Sequence, residues 1–479
     1  MNSLRCLGLL LFTLISTTEL SAADTAKTFR AGAFAQDITP KKLPISVNGN
    51  MRDTLATKVH DPLHARCLVL DDGRTKLAIA VCDSCMIPRE IMDAAKQRVT
   101  KATGIPENHI LISATHTHEA PTVSGVFQSD PDPDYVQQLT EQIAEGITKA
   151  HALRQPAKIG WAVGKNSEQV FNRRWFREAD KIPADPFDGK TDQVQMNPGY
   201  QSPGLIKPAG PVDPDVTVVS VQSLGGKPLA ILANYSLHYV GGVEPLSADY
   251  FGAFAERITQ LVGAGAEKVD PAFVGIMSNG TSGDCNNINF GKEPPPKSQP
   301  YERIKLVADS VAQTAFAAYT SIKYHDWVPL AVAEREIELG VRRPSEAELV
   351  RAKEIVAQAK QPILQGLKEV YARETILIAN YPPTVKARLQ AIRIGELAIL
   401  SSPCETFAEI GLDLKRRSPF PTTCTIELAN GYNGYLPTPE QHKLGGYETW
   451  RARSSYVEVE ASPKIVKTLL ELLEEVRKK

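Results

Sequence analysis

The run Lys76-Leu-Ala-Ile-Ala-Val-Cys82 is apolar after its first residue. A stretch this short, without polar alternation, suits a strand buried on both faces. Pro88 to Ala102 follows with apolar residues at helical spacing and a proline near its start, and His109 to Ser113 is a second short apolar run. Strand, helix and strand in this order call for a sheet with helices packed over it, so the fold class is read as α/β.

The pattern recurs at irregular spacing. Val216 to Val221, Leu229 to Asn234 and Ala272 to Met277 read as strands, and Tyr250 to Val262 and Tyr301 to Tyr319 as helices. Glu346 to Leu367 reads as one long helix, Ala387 to Ile394 and Leu397 to Ser401 as a hairpin turning at Gly395-Glu396, and Phe407 to Arg416 and Ile465 to Val476 as helices. Asn166 to Pro214 has little periodicity, and its Trp175, Phe176 and Arg173-Arg174 pair mark an ordered binding loop rather than a linker. With no internal repeat and no dividing linker, the expectation is a single large mixed-sheet domain with flanking helices.

Just past the second of the first two strands stands Ser113-Ala-Thr-His116-Thr-His118. In an extended segment, residues i and i+2 point to one side. Two imidazoles so placed make half of a zinc site, at a strand end where α/β sheets gather ligands. Two of the chain's nine histidines sit in these three residues. His238 and Glu405 also follow strand-like runs. Read alone, they fit a core histidine and a carboxylate at a helix N-terminus equally well, and spacing does not gather them into one site.

Charge narrows the partners. Lys plus Arg number 54 against 55 for Asp plus Glu, which favours neither a nucleic acid nor an anionic membrane. Arg5, the apolar Leu7 to Ile15 and Ser21-Ala22-Ala23 have the layout of an export leader. Residues 1–23 are expected to be a signal peptide and 24–479 the mature chain, exported to a periplasm or the exterior. No later segment approaches the length of about 18 apolar residues that a membrane span needs. The mature chain keeps Cys67, Cys82, Cys85, Cys285, Cys404 and Cys424, with no pairing indicated. Cys82-x-x-Cys85 lacks a second pair at matching spacing and reads as core packing.

Several short pieces occur in a specific order: Asp37-Ile-Thr-Pro40, His60 with Ala65-Arg66, Thr115-His-Thr-His118, Asn172-Arg173, His238, Ser247-Ala-Asp249, Gly283-Asp284, Pro403-Cys-Glu405, Asn430-Gly-Tyr-Asn-Gly-Tyr435 and Gly446-Tyr447-Glu448. Together they resemble the catalytic domain of the neutral/alkaline, non-lysosomal ceramidase family, over nearly the whole mature chain. The resemblance implies one Zn2+ per chain, held by His116, His238, Glu405 and Tyr435 at the strand ends. It implies that His118 contacts the reacting oxygen and that Arg173 and Tyr447 act on a substrate amide. The family's Gly-Asp-x-Ser pattern reads Gly283-Asp-Cys-Asn286 here, so Asn286 stands in place of serine. Asn286 and Asp284 are expected to position substrate, and Cys285 to be structural. No C-terminal immunoglobulin-like domain is expected.

The function implied is zinc-dependent hydrolysis of an amide in a small molecule or lipid with an N-acyl group, as in sphingolipid metabolism. The alternatives are a zinc esterase and a ceramidase-like binding protein that is non-catalytic or of altered specificity. A binuclear amidohydrolase barrel needs more histidines than the chain offers.

Overall fold

The computed structural model describes residues 27–242, 245–264 and 272–479, so the expected leader at 1–23 lies outside the described residues. The apolar run at 76–82 is an inner strand of an eight-stranded sheet. Its strands in chain order are β1 (Arg30–Asp37), β2 (His64–Asp71), β3 (Lys76–Cys82), β4 (Ile110–Ala114), β5 (Gln155–Lys165), β6 (Asp215–Ser223), β7 (Pro228–Tyr235) and β8 (Val274–Asn279). They lie side by side as β8-β7-β6-β5-β1-β2-β3-β4. Only β3 with β4 and β7 with β8 run parallel; the other neighbours are antiparallel.

Alternation across the pleat divides the side chains between two faces. Ala65, Cys67, Ala78, Ala80 and Ile112 pack beneath α1 (Arg89–Thr103) and α2 (Pro133–Ala152). On the same side, Val218, Ile231 and Ala233 pack beneath α3 (Asp249–Leu261) and α4 (Glu302–Thr320). The opposite face, with Leu68, Leu70, Ile79, Val219 and Leu232, meets a second sheet. That sheet begins with β9 (Leu330–Gly340), continues after α5 (Glu346–Ala357) and α6 (Leu367–Ile378) with β10 (Thr384–Ile394) and β11 (Leu397–Ser401), and ends with β12 (Thr422–Ile426). Its order is β9-β10-β11-β12, and β11 runs parallel to β12. Ala391, Ala398 and Leu400 on its far face pack on α7 (Ala408–Arg417) and α8 (Ala461–Lys478). The layers are therefore helix, sheet, sheet, helix.

The α/β class, the large mixed sheet and the flanking helices agree with the sequence reading, which did not distinguish the two sheets packed face to face. Short apolar runs identify strands without saying which sheet receives them. The helix expected over 346–367 breaks after Ala357 and restarts at Leu367; the gap contains Pro362, which cannot donate to a helical ladder, and Gly366, the N-cap of α6. α2 was not expected. The aperiodic stretch 166–214 contains a small sheet of Val194–Met196, Arg174–Arg177 and Leu205–Pro208. The six cysteines from Cys67 onward are free and buried. Among the described residues, no helix is long and apolar enough to cross a membrane.

Candidate metal centre

Each of the three parallel pairs sends its chains to one end of the double sheet. Past β4 come His116 and His118, past β7 comes His238, past β8 comes Ser282-Gly283-Asp284, past β11 comes Glu405 and past β12 come Glu427 and Tyr435. This is the strand-end position where α/β sheets collect ligands. His116, His238 and Glu405 each offer a ligand atom, and these atoms all lie within 4.8 Å of one another. Glu405 Oε2 is 3.2 Å from His116 Nε2 and 3.8 Å from His238 Nε2. All three residues are at most 2% exposed. Neither His238 Nε2 nor Glu405 Oε2 makes a hydrogen bond, an arrangement that is costly unless something else satisfies it.

The far sides of the rings are tied down. His116 Nδ1 lies 2.7 Å from the Cys85 carbonyl oxygen, and His238 Nδ1 lies 3.1 Å from that of Ser282. A carbonyl only accepts, so each Nδ1 donates and each Nε2 faces the shared space. His116 does not sit in the extended conformation used above to pair it with His118. Its φ is 74°, a left-handed backbone rare for a non-glycine residue and often found at functional sites. The two rings nevertheless meet, with their Nε2 atoms 3.3 Å apart. His118 stacks on Tyr239 at 3.6 Å between ring centres. Gly49, at φ 103°, lies so close that a Cβ would collide with His118 Nδ1. A cavity of about 380 Å³, lined by Val47, Met51, Arg52, Ala56 and Pro245, opens onto His118.

Arg173 arrives from the irregular segment 166–214. Its Nη2 donates to Tyr435 Oη at 3.0 Å and to the Gly283 carbonyl at 2.8 Å, and its Nε donates to Glu448 Oε1 at 3.0 Å. Glu448 Oε2 takes Arg174 Nη1 at 2.6 Å. Tyr435 pairs with Glu405 in a short parallel bridge, and its ring meets Tyr447 edge-on at 5.8 Å. Each of His116, His118, Arg173, His238, Glu405, Tyr435 and Tyr447 is thus part of this one cluster.

Asp284 and Asn286 tie loops together through their hydrogen bonds. Asp284 Oδ2 accepts from Asn172 at 2.7 Å and Oδ1 from the Ala408 N–H at 2.8 Å. It thereby joins the segments bearing Arg173 and Glu405. Asn286 donates to Asn197 and accepts from the Ile288 N–H. Cys285 is fully buried, and burial followed by the Asp284 charge pushes its thiol well above the ordinary range.

Sequence reasoning passed over three residues here. Cys85, read as core, has its sulfur 3.7 Å from His116 Nδ1. Tyr432 donates to Glu405 Oε1 at 3.0 Å, and Tyr239 is the platform under His118. The tyrosine-rich segment 430–435 was visible as a motif, but nothing in it separated Tyr432 from Tyr435.

Charge is strongly coupled. Burial disfavours the imidazolium at His116, but the Glu405 carboxylate and Cys85 outweigh it and lift its pKa well above the ordinary value. His118 and His238 are pushed well below theirs, first by burial and then by the positive charges of His116 and Arg173. Glu405 ends below the usual carboxylate range because His116, Tyr435 and Arg173 offset its burial.

No protein-family model matches the chain. Neutral ceramidase B of Dictyostelium discoideum is 24% identical over 226 residues, covering 44% of this chain and 28% of that protein. Neutral ceramidase A of the same organism is 23% identical over the same length and shares. The similarity thus spans little more than a quarter of these curated relatives. The crystal structure of neutral ceramidase from Pseudomonas aeruginosa superposes with a TM-score of 0.70 at 16% identity, covering 94% of this chain and 75% of that one. A ceramidase complexed with C2 gives 0.70 at 15% identity, with 94% and 76% covered.

Proposed function

Because this chain resembles the neutral ceramidases in sequence and shares their fold, we propose that it is a zinc-dependent hydrolase of an amide bond in an N-acyl substrate. The observation that carries the reading is the convergence of three buried ligand atoms, His116 Nε2, His238 Nε2 and Glu405 Oε2, of which His238 Nε2 makes no hydrogen bond. Zinc bonds of about 2.0–2.2 Å, with a position left for water beside four protein ligands, separate neighbouring ligand atoms by roughly 2.8–3.8 Å. The 3.2 and 3.8 Å separations here suit such an ion. Imidazole nitrogen and carboxylate oxygen are its usual ligands, and the proton that Glu405 draws towards His116 and a cation compete for the same lone pairs. Tyr435, beside Glu405, is the fourth ligand in this reading.

Bound zinc supplies water activation near neutral pH and polarisation of a carbonyl. The chain's own residues do the rest. His118, whose Nε2 lies 3.3 Å from that of His116, would stand beside the reacting oxygen, where it could take a proton from water and return it to the leaving amine. Arg173, anchored by Glu448 and the Gly283 carbonyl, orients the amide. Tyr447 donates to the oxygen on which negative charge develops. Metal analysis of the purified protein, combined with a screen of N-acyl lipids, N-acyl amino acids and esters, tests this. Zinc at one per chain with amide turnover is expected; a zinc-free protein or ester-only turnover would overturn the reading.

The two tyrosines should separate. Tyr435→Phe is expected to weaken zinc retention, whereas Tyr447→Phe should keep zinc and lower kcat by roughly 10²-fold. Equal zinc loss in both would refute the assignment of roles. Cys285→Ala should retain most activity, since a buried thiol held in its neutral form is a poor nucleophile. A trapped acyl group on Cys285 would contradict a water-based reaction.

A further inference from the structure

Glu427 lies just past β12 and is completely buried, yet no step above uses it. Its Oε1 accepts from Ser282 Oγ at 2.6 Å, and its Oε2 accepts from the Thr406 N–H at 2.6 Å. Ser282 stands directly behind His238, whose Nδ1 is 3.1 Å from the Ser282 carbonyl oxygen and 3.3 Å from its Oγ. Thr406 is the residue after Glu405. One carboxylate from the second sheet therefore reaches behind two candidate ligands, one through a hydroxyl and the other through a backbone amide. Each oxygen meets one donor, yet burial outweighs both and pushes the carboxyl pKa up to about 8.

We propose that Glu427 is a positioning residue for the metal centre, acting through Ser282 to hold the His238 ring with Nε2 aimed at the ion. This rests on the reading of His238 as a metal ligand. Carboxylates placed behind ligating histidines orient the ring and raise its basicity, and their loss typically weakens metal binding 10- to 100-fold. The hydroxyl between the two groups makes Ser282 a necessary link: without it Glu427 has no path to the ring, although Nδ1 keeps the carbonyl.

The test uses the full mature chain as wild type, Glu427→Gln, Ser282→Ala and the double variant. Zinc affinity is measured by chelator competition, the cobalt(II)-substituted protein gives a visible spectrum, and melting reports folding. Each single variant is expected to lose about 10- to 100-fold in zinc affinity and to shift the cobalt bands. The double should be no weaker than the worse single variant, because both break one chain. Wild-type affinity and spectrum in folded Glu427→Gln, or losses that multiply in the double, would overturn the proposal. If Glu427→Gln does not fold, Ser282→Ala decides alone, and unchanged binding in it overturns the proposal. A wild-type protein that binds no zinc would instead bring down the metal-centre reading and this inference with it.

Discussion

Alanine at His238 is expected to yield a folded protein that retains no zinc and shows no hydrolysis above background. The side chain is 1% exposed, its Nδ1 is tied to Ser282 and its Nε2 has no hydrogen-bond partner. Its removal takes away one of the four protein ligands of the proposed site, and losing an imidazole donor from so buried a centre weakens metal binding steeply. The fold should survive the change, because the ring gives up its Nδ1 contact with Ser282 and no hydrogen bond at the centre. His116→Ala should behave alike. Metal content by atomic emission, amide turnover and a melting curve on the same preparation check the three parts. Full zinc occupancy in the His116→Ala, His238→Ala double variant would show that the ion, if bound, is held elsewhere.

The second large effect is on stability. Glu448→Ala should destabilise the protein by about 3–5 kcal/mol, the cost of breaking a buried ion pair from one side. Glu448 and Arg174 are fully buried and Arg173 is 4% exposed, and both guanidinium groups pair with this carboxylate, Glu405 being a further negative charge near Arg173. Arg174 would retain Gln441 and the Gly445 carbonyl, and Arg173 would retain Tyr435 and the Gly283 carbonyl. Those neutral acceptors satisfy hydrogen bonds without cancelling two charges in a low-dielectric interior. Arg173 would also lose the contact that aims it, so kcat should fall together with stability. Denaturant melts of Glu448→Ala and the near-isosteric Glu448→Gln measure the effect. A wild-type midpoint for the alanine variant would refute the account.

What was legible in the sequence follows the range of the forces involved. β3, α1 and β4 could be read because continuous or 3.6-spaced apolar residues report burial locally. α2 was equally readable from Asp132-Pro133 and the four-residue spacing of Tyr135, Leu139, Ile143 and Ile147, and was passed over beside the His-Thr-His signal. The presence of a second sheet had no local signature, since Ile392 and Leu68 look alike as apolar strand residues and only their packing sets the layer. At the site, His116 and His118 were conspicuous from residue type and strand-end position. His238, Glu405 and Tyr435 joined them through the family resemblance, because residues 120 to 320 positions away carry no spacing signal. Ser282, Glu427, Tyr239 and Cys85 were silent. Each matters through contacts made only on folding.

His116 and His238 leave the eight-stranded sheet, while Glu405 and Tyr435 leave the four-stranded one. Neither sheet owns the centre; it exists along the seam where they dock. Any ion held there acts as a rivet across that seam, and its free concentration becomes a term in the cohesion of the two halves. At a hundred times its Kd it would add about 2.7 kcal/mol to the docked state. A nick or mutation that lets the sheets slip would be felt first where these four side chains meet. For this architecture, the convergence of these side chains is a gauge of whether the two sheets are still in register.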